Sequence, residues 1–151
     1  ILMHMLGTPK SMQIEPFYDD LIGEIKTFFE NAIDQAEKKG ISRLKIIIDP
    51  GIGFGKTVRH NLLLIQRLNE FKTLKVPLMI GTSRKAFIRN LLKDNTVEEI
   101  NADSAIVERG TQASVAAAIL NGADIVRVHN VANTCVTVKI IDAIKNAQNF
   151  L

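Results

Sequence analysis

The stretch Ile46-Ile47-Ile48-Asp49-Pro50-Gly51-Ile52-Gly53-Phe54-Gly55-Lys56-Thr57 limits the folds open to this chain more than any other. Three β-branched residues in a row read as a strand covered on both faces, the position of a strand in a parallel sheet flanked by helices. Asp49 falls where that strand ends, and Pro50 with three alternating glycines stops the ladder and opens a loop. A carboxylate at the carboxyl end of a buried strand costs free energy unless a partner satisfies it. Two readings fit Asp49: a cap on the next helix, or a ligand group at the rim where α/β proteins bind small molecules.

Neither familiar phosphate loop fits this stretch. A P-loop needs a glycine five residues before the glycine of Gly55-Lys56-Thr57, and that position is Pro50. The dinucleotide fingerprint needs a glycine three residues after Gly53, and that position is Lys56.

A chain of 151 residues, 46% hydrophobic and 23% charged, has the size and balance of one globular domain with a real core. The net charge is +3, and basic residues stand singly beside turns (Lys10, Lys56, Arg84, Lys85, Arg127). That spacing suits a small anionic ligand and argues against nucleic acid as a partner. No apolar run reaches spanning length, so no membrane partner is expected. A single cysteine, Cys135, forbids an intrachain disulfide and points to a reducing, cytoplasmic setting. The first residue is Ile1, already inside an apolar run, and the chain reads as part of something longer.

Residues 1–5 read as a short strand, followed by a loop through Gly7, Pro9 and Lys10. Helical spacing then runs over 16–39, with Gly40 as its left-handed terminator. A strand over 45–49 precedes a helix over 58–71, and a strand at 77–80 leads into Gly81-Thr82-Ser83-Arg84-Lys85. A helix over 86–92, a polar excursion over 93–101 and a helix over 103–120 weakened by Gly110 come next. The last strand spans 124–129, and a helix capped by Asn133 or Thr134 runs to 146.

The fold class is therefore α/β, four β/α units with parallel strands, either a small open sheet or half of a TIM-type (β/α)8 barrel. The placement of polar groups favours the barrel. Each strand ends in chemistry at the same rim: His4, then Asp49, then Ser83 with Lys85, then Arg127 with His129. Arg127 and His129 lie two apart and share one strand face, a fork and an imidazole suited to an anion. Other candidates keep a bland alternative. Met3 is a core methionine or a slot lining, Phe54 a loop anchor or a substrate wall, Ser83 a helix cap or a ligand contact. His4 reads as a hydrogen-bonded histidine and His60 as a surface position on a helix.

These strand ends, taken together, resemble the dihydropteroate synthase family of pterin-binding enzymes. The matching segments are Met3-His4-Met5-Leu6-Gly7-Thr8-Pro9-Lys10-Ser11-Met12-Gln13, Asp49 to Thr57, Gly81 to Lys85, and Arg127-Val128-His129-Asn130-Val131. The resemblance covers the whole chain and implies that 1–151 is the C-terminal half of a pterin-binding barrel domain. It implies condensation of 6-hydroxymethyl-7,8-dihydropterin diphosphate with p-aminobenzoate, giving 7,8-dihydropteroate and pyrophosphate in folate biosynthesis. By the same resemblance Asp49 and Met3 hold the pterin, Phe54 and Ser83 face the aminobenzoate, and Lys85 serves both. Arg127 and His129 hold the leaving pyrophosphate, and Lys85, Arg127 and His129 carry the catalysis. Mg2+ is implied as cofactor, with its ligand in the absent first half and no metal residue in this chain. The family's sulfonamide target, a homodimer through the last helices, and a need for the missing half or a second copy are further implications. A pterin-binding methyltransferase and a non-catalytic pterin-binding half-barrel are the alternatives.

Overall fold

A computed structural model describes residues 1–8, 12, 14–94 and 99–149. Pro9, Lys10, Ser11 and Gln13 of the first motif lie outside the described residues, as does 95–98 of the polar excursion. In chain order the elements are β1 (Leu2–Met3), α1 (Leu21–Lys38), β2 (Ile48–Asp49), α2 (Val58–Gln66), β3 (Met79–Ile80), α3 (Ala86–Leu92), α4 (Ala105–Leu120), β4 (Ile125–Val126) and α5 (Val131–Lys145). Short 3-10 turns occupy Arg43–Lys45, Leu68–Leu74 and Ala147–Asn149.

Every strand pairing is parallel, as alternation of strands and helices requires. Leu2 and Met3 pair with Ile48 and Asp49, and Met79 and Ile80 pair with Ile125 and Val126. A parallel bridge between Ile48 and Leu78 joins the two pairs, so the strands lie side by side in chain order. The chain is α/β with parallel strands. No described helix is long and apolar enough to cross a membrane.

The core forms where helix stripes meet the sheet. α1 turns Leu21, Ile22, Ile25, Phe29 and Ile33 inward, the 3.6-residue stripe its sequence shows. Phe29 meets the fully buried Phe71 edge-on at 6.2 Å. Burying side chains of this kind contributes about 1.5–3 kcal/mol each.

Several boundaries differ from the expectation. α1 begins at Leu21, not near 16, because Tyr18 turns inward before the helix and its hydroxyl donates to the Gly55 carbonyl at 2.9 Å. α2 stops at Gln66 and the chain tightens into the turn Leu68–Leu74. Leu68, Phe71 and Leu74 recur every third residue, so three residues per turn bury all of them on one side. The pairing of β4 is confined to Ile125–Val126, and the Asp124 carboxylate instead accepts from Lys72 (2.6 Å) and the Leu78 amide (2.8 Å). α5 starts at Val131 with Asn130 as its cap, three residues ahead of Asn133, whose amide it receives at 3.1 Å. Gly40 does end α1 in the left-handed region, at φ +85°.

Candidate functional site

The segments at the carboxyl ends of β2, β3 and β4 bring polar groups together, whereas His4, after β1, bonds Lys56 and does not line the cavity they share. β2 ends on Asp49, and β1 brings Met3 into register beside it, so both side chains stand on one face of the sheet. β3 continues into Gly81–Lys85 and β4 into Arg127–His129. A cavity of 450 Å3 is lined by Ser83, Arg84, Lys85, Asp103, Arg127 and His129, among others. Four of the seven predicted site residues thus share one space.

Phe54 joins them through Lys85, whose Nζ lies 4.0 Å from the phenyl centroid. An ammonium over a ring face is attracted by the ring quadrupole. Burial and the nearby Arg127 guanidinium hold Lys85 below the ordinary lysine range, while Asp49 opposes that shift. Asp49 is 3% exposed, and burial pushes its carboxyl up. The Gly51 amide, donating to Oδ1 at 2.8 Å, and the charges of Arg127, Lys85 and Lys56 pull it back down. Asp49 is therefore a buried acceptor facing several cationic groups.

Ser83 does not cap a helix. α3 has Lys85 at its N-cap, and the Ser83 hydroxyl is engaged with His129. Its oxygen accepts the His129 amide at 3.3 Å and lies 2.9 Å from Nδ1. With the hydroxyl donating to Nδ1, neutral His129 carries its proton on Nε2, a donor available to an anion. Asp49 caps no helix either. Thr57 caps α2, accepting the His60 amide at 3.1 Å while His60 Nδ1 accepts the Thr57 amide at 3.3 Å. His60 lies on α2, part-exposed, and completes that cap.

Two pairings go beyond the sequence reading. Arg84, in the left-handed region at φ +59°, forms an ion pair with Asp103 on the cavity wall. His4 is 7% exposed and Lys56 4% exposed, and Lys56 Nζ donates to His4 Nδ1 at 3.1 Å and to the Phe54 carbonyl at 3.0 Å. Burial, reinforced by Lys56, lowers His4 to about 4, and burial lowers Lys56 to about 8. The sequence places Lys56 among the basic residues suited to an anionic ligand; the structure buries it on His4, 52 positions away, outside the cavity lining. No local pattern carries that pairing.

Among the described residues no group of three or more His, Cys, Asp or Glu is placed to hold a metal ion. In the cavity lining the Asp103 carboxylate is paired with Arg84 and the Ser83 hydroxyl is engaged with His129, so the described residues present no set of free oxygen ligands of the kind Mg2+ takes.

Parallel strands whose carboxyl ends gather cations, an imidazole and a buried carboxylate define an α/β protein built to bind an anionic, hydrogen-bonding small molecule. A family model described as "Pterin binding enzyme" matches residues 1–129. The dihydropteroate synthase of Escherichia coli K12 is 39% identical over 147 residues, covering 97% of this chain and 49% of that one. A Yersinia pestis dihydropteroate synthase solved in complex with a sulfonamide drug superposes with a TM-score of 0.85 at 37% identity, covering 97% of this chain and 50% of that one. The Thermus thermophilus synthase in complex with 4-aminobenzoate gives 0.82 at 32% identity, covering 95% and 55%. This chain belongs to the pterin-binding enzyme family, and it spans about half the length of the curated relatives it matches.

Proposed function

We infer that this chain is the second half of a dihydropteroate synthase barrel and that its cavity serves transfer of a pterin methylene group to p-aminobenzoate. The single observation that carries the reading is the convergence of Ser83, Lys85, Arg127 and His129 on one cavity, with Asp49 and Phe54 beside it. The Escherichia coli relative that matches over 97% of the chain carries the synthase name, and one solved relative holds 4-aminobenzoate.

The chemistry follows from the residue types. A pterin offers a planar pair of N–H donors on its aminopyrimidine edge, and Asp49 is a buried acceptor for such a pair. Met3, in register with Asp49, supplies apolar wall beside it. Arg127 and His129 Nε2–H are donors for the diphosphate. The exocyclic C–O bond breaks with its electron pair leaving on pyrophosphate, and the positive charge spreads over the pterin. The amino nitrogen of p-aminobenzoate then forms the new C–N bond and loses one proton. Such a reaction needs positioning and charge stabilisation more than a strong base. Arg127 and His129 stabilise the departing anion, Asp49 favours the electron-poor ring, and Phe54 and Ser83 flank the incoming aryl amine.

The test joins this chain to the first half of the Escherichia coli relative and supplies pterin diphosphate with labelled p-aminobenzoate. Labelled dihydropteroate and an equivalent of pyrophosphate are expected. Pterin binding without either product overturns the transferase reading.

A further inference from the structure

We propose that Lys56 is a positioning residue whose buried amine, held by the Phe54 carbonyl and His4, fixes the glycine loop so that the Phe54 ring lies over Lys85 and walls the aminobenzoate side of the cavity. The proposal rests on the synthase reading for the identity of that substrate, but not for the loop's geometry.

The loop 50–57 has no ladder to hold it, and side chains from three other segments hold it instead. Tyr18, ahead of α1, donates to the Gly55 carbonyl at 2.9 Å. Asn61, on α2 and 2% exposed, accepts the Gly53 amide at 2.8 Å and donates to the Thr57 carbonyl at 2.9 Å. Lys56 closes the set from within, and its second bond, to His4, ties the loop to the end of β1. The fit is close. Gly51 has φ +73°, and a Cβ there would stand 1.9 Å from the His4 carbonyl oxygen.

Burying an amine costs free energy that an apolar side chain of equal length would avoid. Helix and sheet packing do not require it, since Lys56 lies in neither. Its two bonds run to the Phe54 backbone and to His4, and the ring of Phe54 contacts Lys85 at 4.0 Å; its charge also reaches Asp49. Lys56 Nζ itself lies 5.9 Å from the Tyr18 ring and is set into the loop, away from the cavity lining. It acts through Phe54.

The discriminating variants are Lys56→Met, which keeps length and removes the donor, and the pair His4→Asn and His4→Phe. Asparagine keeps an acceptor where Nδ1 stands, and phenylalanine keeps only bulk. In this chain the readout is the ring-current shift and cross-relaxation between Phe54 and the Lys85 methylenes. Wild type and His4→Asn should show both, while Lys56→Met and His4→Phe lose them with circular dichroism unchanged. Should Lys56→Met not fold, the two His4 variants decide alone. In the completed barrel, His4→Phe, which leaves the Lys56 charge in place, should raise KM for p-aminobenzoate about tenfold and leave KM for pterin diphosphate within about twofold, while His4→Asn keeps both. Retention of the Phe54–Lys85 contact in Lys56→Met and His4→Phe overturns the proposal. A lost contact with both KM values unchanged, or raised equally, overturns its substrate side. A completed barrel without turnover counts against the synthase reading alone, and the spectroscopic readout still decides the clasp.

Discussion

Gly81 and Arg127 show how a site can depend on the absence of a side chain. A Cβ at Gly81 would stand 2.6 Å from a guanidinium nitrogen of Arg127 and 3.1 Å from its central carbon. The backbone there needs no special conformation, so alanine is tolerated and stability should change by no more than about 1 kcal/mol. The guanidinium must move, however, and with it the charge facing Asp49. Gly81→Ala in the completed barrel should therefore raise KM for pterin diphosphate about tenfold while the melting temperature holds. An unchanged KM would show that Arg127 does not work from its present position. His4 supports a different measurement. Its folded value of about 4 lies below the ordinary 6.5, so the unfolded chain binds the proton first as pH falls. Stability from this group is complete above 6.5 and is lost as pH falls from 6.5 to 4, by about 3 kcal/mol in all. Urea midpoints between pH 7 and 5 should fall more steeply for wild type than for His4→Phe, and parallel slopes would refute the assignment. At this scale the rim is legible in the sequence, because Asp49 ends a strand, Arg127 follows one directly and Lys85 closes the short loop after a third, and the register of those strands is set by apolar neighbours. His4 and Lys56 are illegible as a pair, because burial of a lysine depends on a loop path that no periodicity encodes.

Elements read well where a stripe decides them and poorly where a cap or a turn does. The α1 stripe is visible because Leu21, Ile25, Phe29 and Ile33 repeat every four residues, and the same repeat places the core. Its start is hidden because Phe17 continues the stripe in sequence yet is 73% exposed in the fold, with Tyr18 drawn to the glycine loop instead. The turn Leu68–Leu74 reads as helix because a spacing of three satisfies a helical stripe almost as well as a 3-10 one. The start of α2 is set by chemistry rather than by packing. Thr57 and His60 exchange bonds across the first turn, an arrangement usually made with a carboxylate or amide at the third position. Thr57→Ala should destabilise the fold by about 1 kcal/mol, and His60→Gln should keep the reciprocal bond and cost less. Denaturant midpoints of the two variants check the order, and equal losses would mean that glutamine does not replace the histidine in the cap.

The whole molecule poses the question of closure. β1 and β4 are the outer strands of the described sheet, each paired on one side only. Near the β4 edge the surface is apolar: Ile125 is 37% exposed, Val131 62% and Val136 64%. Val126, Val131, Cys135 and Val138 line a groove of 510 Å3 beside it. Edges of this kind invite pairing with further strands, and the relatives, twice as long, have the chain to supply them. On the half-barrel reading the site is equally incomplete, since nothing in the described residues faces Asp49 and Arg127 from the far side of a barrel. We therefore expect this chain alone to give no turnover and to self-associate as concentration rises, visible as an increasing mass by light scattering. Adding the first half of the Escherichia coli relative as a separate chain should cap both edges, return the mass to that of one completed barrel or its dimer, and restore synthesis. The two effects should follow one binding curve, because the same strands close the core and complete the site. Turnover by the isolated chain as a monomer would overturn this account, since four strand ends would then suffice for a reaction assigned to a full ring of them.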